Sequence, residues 1–579
     1  MLEKISYIFT FKQKLQLGLM TVLGILNSVL ELLGLSAILP VCTALINPGV
    51  LSDNKYYIYF KTLLNIKTIN DFIVFACISL TAVYIIKNVV LIAIMNYKLK
   101  LTYELREYTS NRLMESYMKQ NYLFHTNHNA ADLQRNISTD VTLFFQVVAA
   151  YIDMFIDVLT GGLIVSFLFL ADPITSAILI GGMSIILFAI MIVYRKMQTD
   201  AGAKARHAAG LLNKWILQSF NGIKEIKANN RESFFLDNYR KALKDGFYQN
   251  LKYNKLTGMP KYIIEMACMS GVALTIAFRV LLGVDVEQFA ITLSAFAVAM
   301  IKVLPIFNHM VGYVSTISFG RTATINIYND LYEIDQELGV VEETIEDESR
   351  FPIRDCLSVN RVSFCYPNST IPVFTDANLV VKKNTSVALI GSSGAGKTTL
   401  ADIMLGLLSP QKGSVTVDGK DISKYMNGWH QSIGYIPQFI YLMDDTIRNN
   451  IVFGAKAPVK DDYIWSVLEK VQLAEFVRNL EKGLDTEIGD RGVRLSGGQR
   501  QRLGIARALY MEPAVLFLDE ATSALDNDTE AAVMEAINSL HGEITLVIIA
   551  HRLSTIKKCD YVYRVGDGKI EACTLSNDN

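Results

Sequence analysis

The sequence predicts a multidomain membrane protein: an all-α transmembrane domain of six helices, followed by an α/β domain built on a P-loop. Three observations carry this. Apolar runs of about 20 residues, the length that crosses a bilayer core about 30 Å thick, recur up to Thr324. From Cys356 onward the pattern changes to short β-type runs alternating with helical ones. A glycine-rich nonapeptide, Gly391 to Thr399, follows one of those β-type runs. Composition agrees: of 579 residues 51% are hydrophobic and 19% charged, against about a quarter charged in soluble domains. A net charge of −1 provides no electrostatic footprint for nucleic acid. The seven cysteines show no CxxC and no metal-ligand spacing, so reduced thiols are expected.

The first span is expected from about Leu15 to Ile46, with Pro40 inside it. It is too long for a signal peptide. The second runs from Phe72 to Tyr97 and the third from Val141 to Leu170. The fourth follows the turn Ala171-Asp172-Pro173 and reaches Tyr194. The fifth starts near Pro260 and ends near Leu282; the sixth begins near Glu287 and passes Pro305. Spans two and five border polar sequence that stays helix-compatible, so these helices should extend beyond the bilayer. Lys98, Lys100, Arg106, Arg112, Lys119 and Arg135 fill the loop after span two, and a longer basic series from Arg195 to Lys244 fills the loop after span four. The turns at Asp172 and at 283–287 carry no basic residue. Both long loops and both chain ends are therefore expected in the cytoplasm. Lys55, Lys61 and Lys67 run against the trend. The loops are long enough to reach the second domain. Between Asp53 and Lys67, Tyr56, Tyr57, Phe60, Leu63 and Leu64 share one helical face, which predicts a short interfacial helix. The domain boundaries expected are 1–329 for the membrane domain, 330–355 for an acidic linker, and 356–579 for the nucleotide-binding domain.

Gly391-Ser392-Ser393-Gly394-Ala395-Gly396-Lys397-Thr398-Thr399 lies between a strand and a helix and fits the P-loop pattern. Its glycines let backbone N–H groups wrap phosphates, Lys397 reaches the β- and γ-phosphates of ATP, and Thr398 is placed to ligate Mg²⁺. Val515-Leu516-Phe517-Leu518 is an apolar strand ending in Asp519 and Glu520. Asp519 is assigned to Mg²⁺ and Glu520 to polarising the attacking water. Leu495-Ser496-Gly497-Gly498-Gln499 opens a helical run, where bare N–H groups face an anion.

With these motifs in this order, the C-terminal domain resembles the ATPase domains of ABC transporters, whose signature is that pentapeptide. The resemblance implies that Tyr366 stacks on adenine. It implies that Gln438 touches Mg²⁺ and senses the membrane domain, and that Asp526, in Ser523-Ala524-Leu525-Asp526, belongs to the loop linking two sites. His551 resembles the switch histidine at the γ-phosphate. In this family each site joins the P-loop of one subunit to the signature of the other, which implies a homodimer here. Thr486 to Gly492 resembles the segment characteristic of exporters, as does the domain order.

The membrane half resembles bacterial flippases for lipid-linked oligosaccharides. Lys87, Lys261, Lys302 and His309 fall within or at the ends of spans, toward the cytoplasmic side. Lys302, His309 and Thr316 recur every seven residues, on one helical face. Ionisable residues there are costly and often functional. Two readings stand: a cavity lining for an anionic headgroup, or anchors that snorkel to the interface, with Lys261 paired to Glu265. The resembling flippases carry arginine where this chain has lysine, which has no bidentate fork for a pyrophosphate. The function expected is ATP-driven export of a lipid-linked oligosaccharide or similar amphipathic anionic lipid. A drug, lipid or peptide exporter is the alternative, and a non-transporting regulatory ATPase a third reading.

Overall fold

The structure is a computed structural model. It describes residues 1–37, 69–281, 286–338, 350–367, 369–455, 460–519, 535, 537, 539–550, 556 and 558–573. Two compact units divide the chain: Met1–Lys119 with Asn129–Gln336, and Gln120–His128 with Glu337–Asn579. The interfacial helix expected at 53–67 lies outside the described residues.

The first unit contains α1 (Leu2–Ile8), α2 (Phe11–Ser36) and α3 (Ile69–Met118). After α4 (Tyr122–Asn127), which belongs to the second unit, come α5 (Ala130–Arg135), α6 (Val141–Ala171), α7 (Pro173–Asn221), α8 (Ile223–Ala228), α9 (Glu232–Leu281) and α10 (Val286–Leu338). Among the described residues, six stretches are long and apolar enough to cross a membrane. The helices outrun the expected spans. α3 continues to Met118, α7 to Asn221, and α9 starts at Glu232, well before Pro260. Ion pairs one turn apart support the polar stretches at the end of α3 and in α9, as in Lys119–Glu115 at 2.6 Å and Arg240–Asp237 at 3.3 Å.

Small residues set the closest helix contacts, as expected where apolar burial cannot drive association. A Cβ on Gly24 of α2 would stand 2.3 Å from Ile156 Cδ1 of α6, and one on Gly320 of α10 would stand 2.3 Å from Val147 Cγ2. Beside Gly24, Thr160 Oγ1 donates to Ser28 Oγ at 2.7 Å.

Asp330 and Asp335, expected to open the linker, lie inside α10. Tyr117 and Asn136 both donate to Asp330, Asn136 at 2.7 Å. Tyr7 of α1 donates to Asp335 at 2.8 Å, and Arg112 of α3 pairs with it at 3.1 Å. These bonds continue the helix to Leu338. At the other end of the linker, Phe351 and Ile353 are buried in the second unit.

The second unit has two sheets. Strands β1 (Cys356–Phe364), β2 (Phe374–Lys382), β4 (Lys412–Val417) and β5 (Lys420–Asp421) form an antiparallel sheet in the order β2-β1-β4-β5. The larger sheet takes β3 (Ser386–Ile390), β6 (Ile433–Ile436), β7 (Val515–Asp519), β8 (Thr545–Ile549), β9 (Tyr561–Gly566) and β10 (Lys569–Cys573) in the order β10-β9-β3-β8-β7-β6. Its pairings are parallel from β9 through β6. Alternate side chains serve opposite faces. Val387, Leu389, Val515 and Phe517 enter one core, with α11 (Lys397–Met404) and the antiparallel sheet. Ala388, Leu516 and Leu518 enter the other, with α13 (Ile447–Val452), α14 (Asp461–Lys470), α15 (Ala474–Arg478) and α16 (Gly497–Tyr510); α12 is Met426–Ser432. Both faces of β7 and β8 are covered, so every position in them is buried, as parallel central strands require.

Candidate nucleotide site and intramembrane charges

The parallel register brings four strand ends to one edge. Leu389 of β3 pairs with Ile549 of β8, Ile549 with Asp519 of β7, and Leu518 with Ile436 of β6. The P-loop follows β3, Asp519 closes β7, and Gln438 lies just past β6. A crevice at the carboxyl ends of parallel strands is where α/β sheets bind ligands.

The P-loop conformation depends on glycine. Gly391 has φ +154°, and a Cβ there would stand 2.3 Å from the Val565 carbonyl oxygen. Gly394 and Gly396 have φ +82° and +98°. Ser392, Ser393 and Gly394 are exposed, whereas Lys397 is buried at the start of α11. Its ammonium donates to the carbonyls of Gly391 at 2.9 Å and Ser392 at 3.0 Å, so it lies directly against the loop. Thr398 is exposed and available to a metal; Thr399 turns inward and meets the Tyr366 hydroxyl at 3.0 Å. The Tyr366 ring packs edge-on to Phe364 and stays part-exposed beside the loop.

Asp519 is 8% exposed at its strand end. Close by, Asp402 of α11 is lifted to about 6, by burial first and by the charge of Asp519 second. Two buried acids that repel each other beside an exposed threonine hydroxyl suit Mg²⁺, which takes oxygen ligands. Thr398, Gln438 and Asp519 are the residues that would hold it. Glu520, Asp526 and His551 lie outside the described residues. The strand ends that lead into Glu520 and His551 are adjacent in the sheet.

The signature pentapeptide forms a capping box. Ser496 Oγ accepts from the Gln499 amide at 3.2 Å, and Gln499 Oε1 accepts from the Ser496 amide at 2.8 Å. Gly497 and Gly498 are thereby fixed as the first residues of α16, where N–H groups have no intrahelical acceptor. Leu495 is buried beneath them. Arg507, further along α16, donates to the Tyr441 and Asn450 carbonyls at 2.7 and 2.8 Å, joining the signature helix to the segment after Gln438.

The loop after span two reaches this unit, as its length implied. α4 is capped by Asn121, and Leu123 packs against the core that holds the P-loop strand. Tyr122 lies close enough to the site that its hydroxyl is raised by burial, then by Asp402 and Tyr366.

Of the four intramembrane cations, the structure brings two together. Lys87 and Lys302 both reach Glu31 Oε2, each at 2.9 Å. Lys87 is not a free lining group: it is 3% exposed, with its ammonium over the Tyr84 ring. His309 instead meets Asp157 at 3.0 Å, where Tyr313 also donates at 2.9 Å. Lys261 does not join them and lies over the Tyr262 ring at 6.0 Å. Glu31 and Asp157 were missed by reading only the cations. The signal was present: Glu31 is the single acid between Phe11 and Val50.

Residues 374–523 match the family described as ABC transporter, and residues 17–303 match the ABC transporter transmembrane region. An ATP-dependent lipid A-core flippase of Methylobacillus flagellatus is 30% identical over 64% of this chain, which spans 62% of that relative's length. Its counterpart in Pseudomonas putida is 29% identical over 82% of this chain and 77% of its own. A multidrug resistance ABC transporter ATP-binding and permease protein of Lactococcus lactis is 36% identical over 43% of this chain and 41% of its own.

Proposed function

This chain belongs to the ABC transporter family as an exporter-type half-transporter, and we propose that it hydrolyses ATP to move an amphipathic anionic lipid, such as a lipid-linked oligosaccharide, from the cytoplasmic leaflet outward. One observation carries the substrate reading: two lysines share one carboxylate within a unit of membrane-spanning helices. That cluster bears a surplus positive charge, and a charge at such depth is retained where a function needs it. The flippase relatives support the reading.

In the proposed cycle the P-loop amides and Lys397 hold the ATP phosphates and Tyr366 stacks on the base. Thr398, Gln438 and Asp519 would hold Mg²⁺, which would supply positive charge against the phosphates. Glu520 polarises the attacking water and His551 contacts the γ-phosphate. Leu495 to Gln499 reach the nucleotide from a second copy, so the working unit is a homodimer. Asp526 links its two sites. In this reading the chain spans the cell membrane with both termini in the cytoplasm, the side that its basic loops favour.

Export of an apolar drug or peptide is the second reading. A groove of about 640 Å³ between α7 and α9, lined by residues such as Ile178, Ile186, Leu274 and Phe278, favours it. Proteoliposomes separate the two. Changing Lys87 and Lys302 together to Gln should abolish flipping of a labelled polyprenyl-pyrophosphate sugar per ATP hydrolysed. Full flipping by that variant would reject the anionic-lipid reading.

A further inference from the structure

We propose that Glu31 is a built-in occupant of the headgroup site: its carboxylate holds the ammonium groups of Lys87 and Lys302 until the phosphate of an anionic lipid takes its place. The inference rests on the flippase reading above and deepens it.

The geometry is that of a shared ligand. One oxygen, Oε2, accepts both lysines at 2.9 Å, and the three residues come from α2, α3 and α10. Gly34, one turn past Glu31, makes room for the arrangement: a Cβ there would lie 3.2 Å from Lys87 Nζ. With the orientation that the basic loops favour, both lysines lie roughly 23 Å inward from the outer ends of the expected spans at 1.5 Å per residue, in the cytoplasmic half of the bilayer. Exposure is graded. The side chains of Lys87, Glu31 and Lys302 are 4%, 17% and 41% exposed, so an incoming group meets Lys302 first.

Two ammonium groups with one carboxylate leave one positive charge uncompensated. Glu31 lowers the cost of keeping two cations at this depth. A phosphate brings more charge and more acceptor oxygens than the carboxylate it replaces, and its bonds to ammonium are charge-assisted. Glu31, once displaced, loses both partners in a poorly hydrated place. That penalty is set against binding, so Glu31 tunes affinity downward and favours release. A neutral amphiphile gains nothing from the exchange.

The test uses the full-length protein in lipid nanodiscs, with ADP saturating the nucleotide sites. Farnesyl diphosphate is the probe and farnesol its neutral control. Glu31→Gln should bind farnesyl diphosphate about tenfold more tightly, with farnesol unchanged. Glu31→Asp, which keeps the charge but cannot span both lysines, should tighten binding by about two- to threefold and stands in should Glu31→Gln not assemble. Unchanged or weaker diphosphate binding in an assembled Glu31 variant, with binding lost in Lys87→Gln/Lys302→Gln, overturns the exchange and leaves the headgroup site standing. Absence of diphosphate binding in every protein, wild type included, overturns the anionic-lipid reading itself. Inorganic pyrophosphate competing as well as the lipid would assign the site to a free anion and overturn the lipid headgroup.

Discussion

Single residues differ in how far their chemistry depends on neighbours in the chain. Gly391 could be assigned from its motif, and the structure supplies the cause: its φ of +154° and the Val565 carbonyl leave no space for a side chain. Lys397 is held by carbonyls five and six residues before it, a purely local arrangement. Glu520 follows Asp519 directly and is assigned the attacking water. Glu520→Gln should bind ATP as wild type does but lose about a hundredfold or more in turnover. Nucleotide binding and phosphate release measured on the same preparation check this, and wild-type turnover would remove Glu520 from the mechanism. Lys87 and His309 are the opposite case. Their carboxylate partners lie 56 and 152 positions away.

Among the elements, helix ends were the hardest to locate from sequence. Hydropathy reports where a helix leaves the bilayer, whereas α3, α7, α9 and α10 continue past it; α3 and α9 carry ion pairs on their own surfaces, and α3 pairs with α10 through Arg112 and Asp335. The start of β1 is decided by a side chain from a distant turn. Asp418 accepts the amide N–H groups of Arg354 at 2.7 Å and of Asp355 and Cys356 at 2.9 Å each. Burial raises the Asp418 carboxyl, but these amides and the charge of Arg354 outweigh it, and the net pKa lies below the usual carboxylate value. A depressed folded pKa contributes stability that is complete above the unfolded pKa and is lost as pH falls through the folded one. Asp418→Ala should therefore destabilise the protein near neutral pH by at most about 1 kcal/mol, since solvent screens an exposed carboxylate. The difference from wild type should shrink as pH falls below the ordinary aspartate value of about 3.9. Thermal melts of the full chain in detergent across that range check the trend, and a gap that widened in acid would contradict it.

For the whole molecule, the prediction follows from one copy of each nucleotide motif per chain. Lys397→Ala damages a P-loop and Gly497→Asp damages a signature helix. Each variant alone should be inactive. Co-expressed, they should recover about a quarter of wild-type ATPase, because random pairing makes half the dimers mixed and each mixed dimer keeps one intact site. Differently tagged chains and a double pull-down would provide the mixed dimer. No recovery in that fraction would show that the P-loop and the signature act within a single chain.

The order of the two domains, the apolar spans and the P-loop, strand and signature motifs are legible in the linear chain. Those features obey local rules: a bilayer needs a run of apolar residues, and a phosphate needs consecutive amides on a glycine-rich turn. Which groups meet follows from the three-dimensional fold. It placed the strand ends of β3, β6, β7 and β8 side by side. It carried α10 through the residues expected to be a linker, through bonds from Tyr117, Asn136, Tyr7 and Arg112. It also turned two apparently free lysines into partners of Glu31. Charge in a low-dielectric interior is settled by distances in space, and a linear pattern does not hold those distances.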